Sequence, residues 1–263
     1  MDLGLQNKVA VVLASTTGLG FAVAEALLDE GARVAISGRD PERLQDAIQR
    51  LQSTHPGRVV GEAFDVTNTA ALEAHLQHAK ARWDAVHVLV TNAGGPPTGL
   101  AADISESDLD RAYALTMKSA IHAVQTVLPW MRAQRWGRII GMTSSSVRQP
   151  IPNLTLSNTM RAGLTGYFKT LSFEVAQDGI LVNTICTGMF MTDRLTELFE
   201  IRAAKSGRTV AQEKQLAEQE IPLRRLGDPK EFGAMVAFMA SERASFLNGV
   251  ALPYDGGASR FLL

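Results

Sequence analysis

The stretch LSNTMRAGLTGYFKTL, residues 156–171, sets Ser157 and Arg161 four residues apart. On a helix that spacing puts a hydroxyl and a permanent cation on one face. Together such groups can hold a carbonyl oxygen, a carboxylate or a water molecule. Tyr167, close to Lys169, follows ten residues after the serine. Ten residues of helix rise about 15 Å, too far to join the same site, so a core or subunit-interface aromatic is the better reading. A run of hydroxyls, TSSS at 143–146, brings in Ser144, which can donate to a carbonyl or an oxyanion. A third stretch, ASTTGLG at 14–20, has the small residues that let backbone N–H groups approach a phosphate.

These residues need elements to position them. KVAVVLA (8–14) does not alternate and reads as a strand buried on both faces. The pattern predicts a helix over 18–32, a strand over 33–38 and a helix over 40–52, the last opened by Asp40 as N-cap and Pro41 in the first turn. A strand follows at 58–66, a helix at 68–82, a strand at 86–95, one long helix at 107–134, a strand at 137–146, a helix at about 154–177 and a strand at 180–188. Strict β–α alternation over this length means one α/β domain with a doubly wound, Rossmann-type parallel sheet, because parallel strands need crossovers and right-handed crossovers cover both faces. Residues 192–221 break the rhythm with polar, charged sequence after a strand's carboxyl end. They read either as a mobile lid over a substrate pocket, at about 190–221, or as a solvated helical excursion. Met189, Phe190 and Met191 before them suit an apolar substrate wall or core packing equally.

Composition narrows the classes. The chain has 263 residues, 46% hydrophobic and 20% charged, with net charge −1. That is ordinary for a globular domain and offers no field for nucleic acid or an anionic membrane. The single cysteine, Cys186, rules out an internal disulfide framework. No apolar run approaches the roughly 20 residues of a membrane span, and the opening MDLGLQNK is not a signal peptide. A cytoplasmic protein is expected. His55, His75, His78, His87 and His122 form no ligand spacing, and no metal is assigned. The tail SRFLL ends in three apolar residues and is expected to dock on another subunit.

The first strand runs straight into the Gly-rich loop and then a helix, the context in which a helix N-terminus and loop amides bind a dinucleotide. Ala14, Ser15, Thr17, Gly18, Leu19 and Gly20 are the candidate cradle, with Ala14 where the first glycine of such a loop is expected. A tight strand-to-helix turn is the alternative. The second strand ends in Ser37-Gly38-Arg39, without the carboxylate that NAD sites place there for the ribose 2′-hydroxyl. Arg39 can pair with a 2′-phosphate, so NADP is favoured over NAD, unless Arg39 is simply a solvated surface charge.

TTGLG (16–20), FDV (64–66), TNAGG (91–95), TSSS (143–146) and PYDGG (253–257), in this order, resemble the short-chain dehydrogenase/reductase family over about residues 5–257. The resemblance implies a seven-stranded parallel sheet, a nicotinamide cofactor and commonly a homotetramer (a dimer is the alternative) built on helices 107–134 and 154–177. It also implies Asp65 and Val66 at the adenine, Asn92, Ala93 and Gly94 along the cofactor, and Gly188 and Thr192 near the nicotinamide amide. Family members use a serine, a tyrosine thirteen residues later, a lysine four beyond that, and an asparagine on the preceding long helix. Ser144 matches the serine, but Ser157 stands at the tyrosine position, Arg161 at the lysine position and Thr116 at the asparagine position, with Thr187 where proline usually precedes Gly188. Tyr113 and Lys118 lie near Thr116; Lys118 reads as a snorkelling surface lysine, the alternative being that it reaches the site.

An aliphatic alcohol is a far weaker acid than a phenol of pKa about 10. Losing the phenol removes help typically worth about 10²–10⁴-fold in rate, a loss that need not abolish hydride transfer. Arg161 stays charged, so it cannot shuttle a proton, but it can bind ribose hydroxyls or a substrate carboxylate. A water held between Ser144, Ser157 and Arg161 is one route for the proton. Two functions follow: an NADP-preferring oxidoreductase on a carbonyl/alcohol pair with an altered relay, or a cofactor-binding sensor or assembly protein that has lost the chemistry. A dehalogenase-like branch of the fold also carries arginine at the lysine position. It keeps its tyrosine and gives up the Gly-rich loop, the reverse of this chain.

Overall fold

Seven short strands carry the apolar runs; the one expected over 33–38 is found at those bounds, and the other five expected ones are trimmed at one or both ends. They are β1 (Val9–Val12), β2 (Arg33–Gly38), β3 (Val59–Ala63), β4 (Val88–Thr91), β5 (Gly137–Ser144), β6 (Ile180–Thr187) and β7 (Ala251–Tyr254) in the computed structural model, which describes residues 1–262. They form one sheet in the order β3-β2-β1-β4-β5-β6-β7, every pair parallel. The order reverses between β1 and β4, the switch point at which such sheets open a crevice beyond their carboxyl ends.

Alternate residues along each strand feed two cores, which is why the runs are continuously apolar. Ala10, Val12, Val34, Ile36, Val88 and Val90 face α1 (Gly18–Asp29), α2 (Pro41–Thr54) and α9 (Pro229–Ala240) through Leu27, Leu51 and Phe232. Val11, Leu13, Ala35, Leu89 and Ile139 face α3 (Thr69–Trp83), α5 (Ser119–Gln134) and α6 (Thr155–Glu174) through Leu76, Val127 and Phe168.

The helix expected over 107–134 is α4 (Glu106–Tyr113) and α5, joined by a π-helical turn at Ala114–Lys118. Thr116 lies at the middle of this turn, and π turns of this kind are frequent at functional sites. Residues 192–221 form α7 (Asp193–Ser206) and α8 (Val210–Glu220), capped by Thr192 and by a Thr209–Gln212 capping box. Phe199, Ala217, Ile221 and Leu226 give this excursion a small core of its own, against which Met189 packs. Among the described residues no helix is long and apolar enough to cross a membrane.

Candidate active site

At the end of β1 the chain turns sharply. Ala14 adopts φ 48°, the left-handed conformation that explains why a glycine is expected there. Its carbonyl accepts from the Asn92 side chain at 2.9 Å, tying the loop to β4. A Cβ on Gly20 would sit 2.5 Å from the Ala14 carbonyl oxygen and 2.8 Å from Ser15 Cα, so only glycine lets α1 begin this close to the strand. Gly18 is also left-handed, at φ 58°. The N-cap of α1 is Thr17, exposed and making no capping hydrogen bond, whereas Asp40, Asn68, Thr192, Thr209 and Asp228 cap their helices with side chains. The first N–H groups of α1 are therefore left without a side-chain cap among the described residues, an arrangement that suits phosphate. Ser15 serves differently: it is fully buried and donates to the Val12 carbonyl at 2.6 Å, fastening the loop rather than lining it. Leu19 packs on the core beneath.

Beyond β2, Arg39 is exposed and, among the described residues, in no ion pair. Its charge reaches Asp65. Desolvation raises the Asp65 carboxyl, but the N–H and hydroxyl of Thr67 (2.9 and 2.7 Å), helped by Arg39, outweigh it and hold it below the usual carboxylate range. Val66 is buried beside it. Gly94 is exposed with open space where a Cβ would be, and Ala93 is half-buried.

The second part of the site lies at β5. Ser144 is its last residue, paired with Thr187 of β6, and its hydroxyl accepts from the Ser146 N–H at 3.1 Å. Arg161 reaches from α6 to donate to the Met142 carbonyl at 2.9 Å, two residues before Ser144. Desolvation, then the charge of Arg194, pulls the Arg161 guanidinium down to about 10, so it remains a cation at neutral pH. Ser157 is one turn earlier on the same face, half-buried, between Leu156 and Met160, which seat α6 against Ala112 and Met117. Thr116 is buried and its hydroxyl has no partner among the described residues.

The third part hangs over the first two. The Thr192 methyl stands 3.5 Å from where a Gly18 Cβ would be, so the start of α7 lies against the Gly-rich loop. Two residues on, Arg194 crosses to Gly95, its Nη2 2.6 Å from an ideal Cβ there. Gly188 answers to packing: a Cβ would fall 2.5 Å from Asp255 Cα. Phe190 is buried against Phe232 and Tyr254, which makes it core, while Met191 is 40% exposed.

Matches with known proteins follow this geometry. The family model described as "Enoyl-(Acyl carrier protein) reductase" matches residues 13–259. D-beta-hydroxybutyrate dehydrogenase of Cupriavidus necator is 30% identical over 255 residues, covering 96% of this chain and 98% of that one. The chain belongs to the short-chain dehydrogenase/reductase family. Among solved family structures, L-sorbose reductase from Gluconobacter frateurii, complexed with NADPH and L-sorbose, superposes with TM-score 0.96 at 29% identity, covering 100% of both chains. The NADPH-bound short-chain oxidoreductase from Pseudomonas aeruginosa PAO1, described as containing an atypical catalytic center, has TM-score 0.89 at 30% identity, covering 98% of this chain and 100% of that one.

Within this short-chain dehydrogenase fold, Tyr167 and Lys169 belong elsewhere. Tyr167 packs by Phe168 with its phenol raised by burial, and Lys169 donates to the Gly249 carbonyl at 3.0 Å. The tail partly turns back on its own chain. Arg260 N–H donates to Gln149 at 3.1 Å and Arg148 lies 5.2 Å from the Phe261 ring, while Leu262 is exposed and Leu263 lies outside the described residues. Sequence reasoning missed Arg194 and the π turn. Only the capping residues Thr192 and Thr209 signalled the helix that carries Arg194 and the one after it.

Proposed function

We propose that the chain is an NADP(H)-dependent oxidoreductase acting on a carbonyl/alcohol pair through an atypical proton relay. The observation that carries this reading is the uncapped start of α1 behind Ala14, Gly18 and Gly20, a cradle that fits a dinucleotide diphosphate. Arg39, with no carboxylate at the end of β2, favours a 2′-phosphate, and the NADPH in two related structures agrees. Asp65, Val66, Asn92, Ala93, Gly94, Gly188 and Thr192 complete the groove.

A nicotinamide bound there supplies the hydride chemistry. The chain's own residues then hold a carbonyl oxygen and bring it a proton. Ser144 donates to the oxygen. Ser157 replaces a phenol with a much weaker acid, so a water between Ser144, Ser157 and Arg161 carries the proton, with Thr116 as a buried hydroxyl beside the path. The α7–α8 excursion, with its own core and its contact to the Gly-rich loop, acts as the lid. Half-exposed Leu109 and Tyr113 on α4, and Phe173 on α6, favour a homo-oligomer, dimer or tetramer, through these helices. The lone buried Cys186 and the near-zero net charge fit a cytoplasmic enzyme of small molecules.

Titration of the purified protein with NADPH and NADH, followed by nicotinamide fluorescence, tests the core of this. Micromolar NADPH binding with NADH at least tenfold weaker is expected; no binding of either refutes it. The Ser157 hydroxyl, which makes no hydrogen bond to a base among the described residues, favours one second reading, a cofactor-binding sensor or assembly protein. Carbonyl reductase activity gained by Ser157→Tyr with Arg161→Lys, from a parent inactive across a carbonyl panel, would support that second reading.

A further inference from the structure

Arg161 and Arg194 come from different elements, α6 and α7, and converge between the end of β5 and the loop after β4. One is fastened at the Met142 carbonyl and the other lies against Gly95. Among the described residues neither forms an ion pair, although Arg208 and Arg225, around the same excursion, find Glu213 and Glu231 at 2.8 and 2.6 Å. Two like charges brought together are costly without a counter-charge, and the cost grows with desolvation. The effect is felt at Arg161, whose acidity rises through burial and through Arg194. Arg161 spends one of its five N–H donors on Met142, and the Arg194 guanidinium makes no hydrogen bond among the described residues, so forks remain for an oxyanion.

We infer that Arg161 and Arg194 form a two-armed anion clamp, and that the substrate is a carbonyl compound bearing a carboxylate or phosphate group. This rests on the oxidoreductase reading for its carbonyl, but not for its anion. Because Arg194 rides on the excursion while Arg161 is fixed to the sheet, an anion bridging them holds α7 down over the site. Anion binding and lid closure are then one event, and neutral ketones bind without it.

Thermal unfolding of the apo and NADPH-loaded protein is followed with 2-oxobutanoate, dihydroxyacetone phosphate or neutral 2-butanone at equal concentrations. One or both anions should raise the midpoint and 2-butanone should not. The effective concentration should rise at least tenfold in Arg194→Ala and recover partly in Arg194→Lys. Arg194→Glu, which supplies a carboxylate in place of the ligand's, should raise the midpoint of the apo protein and abolish anion protection. Equal protection by the neutral ketone, no protection by either anion, or full anion protection in Arg194→Ala would overturn the clamp. Absence of an NADPH effect overturns the cofactor reading instead, and the clamp is then scored on the apo protein.

Discussion

The carboxyl end of β1 and the carboxyl end of β5 face one cleft, yet they are built from different material. At β1 the proposed binding groups are backbone amides at the start of α1, aimed by a loop whose geometry Gly18 and Gly20 set. At β5 they are side chains: the hydroxyls of Ser144 and Ser157 and the guanidinium of Arg161. The first kind of site absorbs substitution. Ala14 takes up the left-handed turn of a glycine, and the loop still closes on Asn92. The second kind changes its chemistry with every exchange, because a hydroxymethyl cannot do what a phenol does and a guanidinium cannot give up its proton. A backbone site is sensitive to shape and a side-chain site to identity.

The contrast is broken most directly at Gly20. Gly20→Ala puts a carbon 2.5 Å from a backbone oxygen that cannot yield. Nucleotide binding should fall more than 100-fold while circular dichroism retains the fold; unchanged NADPH titration would mean the backbone is not the phosphate site. Arg39→Ala touches the one side chain on which the nucleotide half depends for selectivity. NADPH affinity should drop roughly 10- to 100-fold, since hydrogen bonds to charged groups are worth about 1.5–3 kcal/mol, with NADH unaffected.

A smaller effect concerns stability. Hydrogen bonds and charge from His75 and His78 hold the Glu62 carboxyl on β3 down at about 2, against the opposing pull of desolvation. A carboxyl depressed in the folded state stabilises above its unfolded pKa, and that stability is lost as pH falls through about 4.5 toward 2. Glu62 is more than a third exposed, so about 1 kcal/mol is expected. The unfolding midpoint should fall between pH 5 and 3, and Glu62→Gln should flatten that slope. Ala14→Gly should have the smallest effect. It relieves about 1–2 kcal/mol of left-handed strain and gives back about 0.4–1 kcal/mol of unfolded-chain entropy, leaving a gain between about 0 and 1.6 kcal/mol in chemical denaturation.

The backbone half was the more legible in sequence. Buried strands, a Gly-rich loop and a capped second helix are coded by local spacing, so β1, α1, β2 and α2 fall where the periodicity puts them. The side-chain half was legible as residue types but not as an arrangement. Ser144, Ser157 and Arg161 could be found by their spacing, whereas the approach of Arg194 depends on a long-range packing of α7 that no local pattern encodes. The π turn was hidden for another reason: one added residue in 114–118 leaves the hydrophobic pattern intact on either side. The capping box at Thr209 and Gln212 is a local signal in this excursion that marks a helix start, that of α8.

That added residue has a consequence for how the family's sequences can drift. Each residue of a regular helix turns through about 100°, so the insertion offsets the faces of α4 from those of α5 by more than a quarter turn. Ala112, wholly buried against Leu156 and Met160, owes its inward orientation to that offset. Deleting any one residue from 114–118 would restore a regular rod and rotate Ala112 away, unseating the turn of α6 that bears Ser157. Point substitutions there can accumulate, but the length of this segment is locked: the chain counts residues here more strictly than it chooses them.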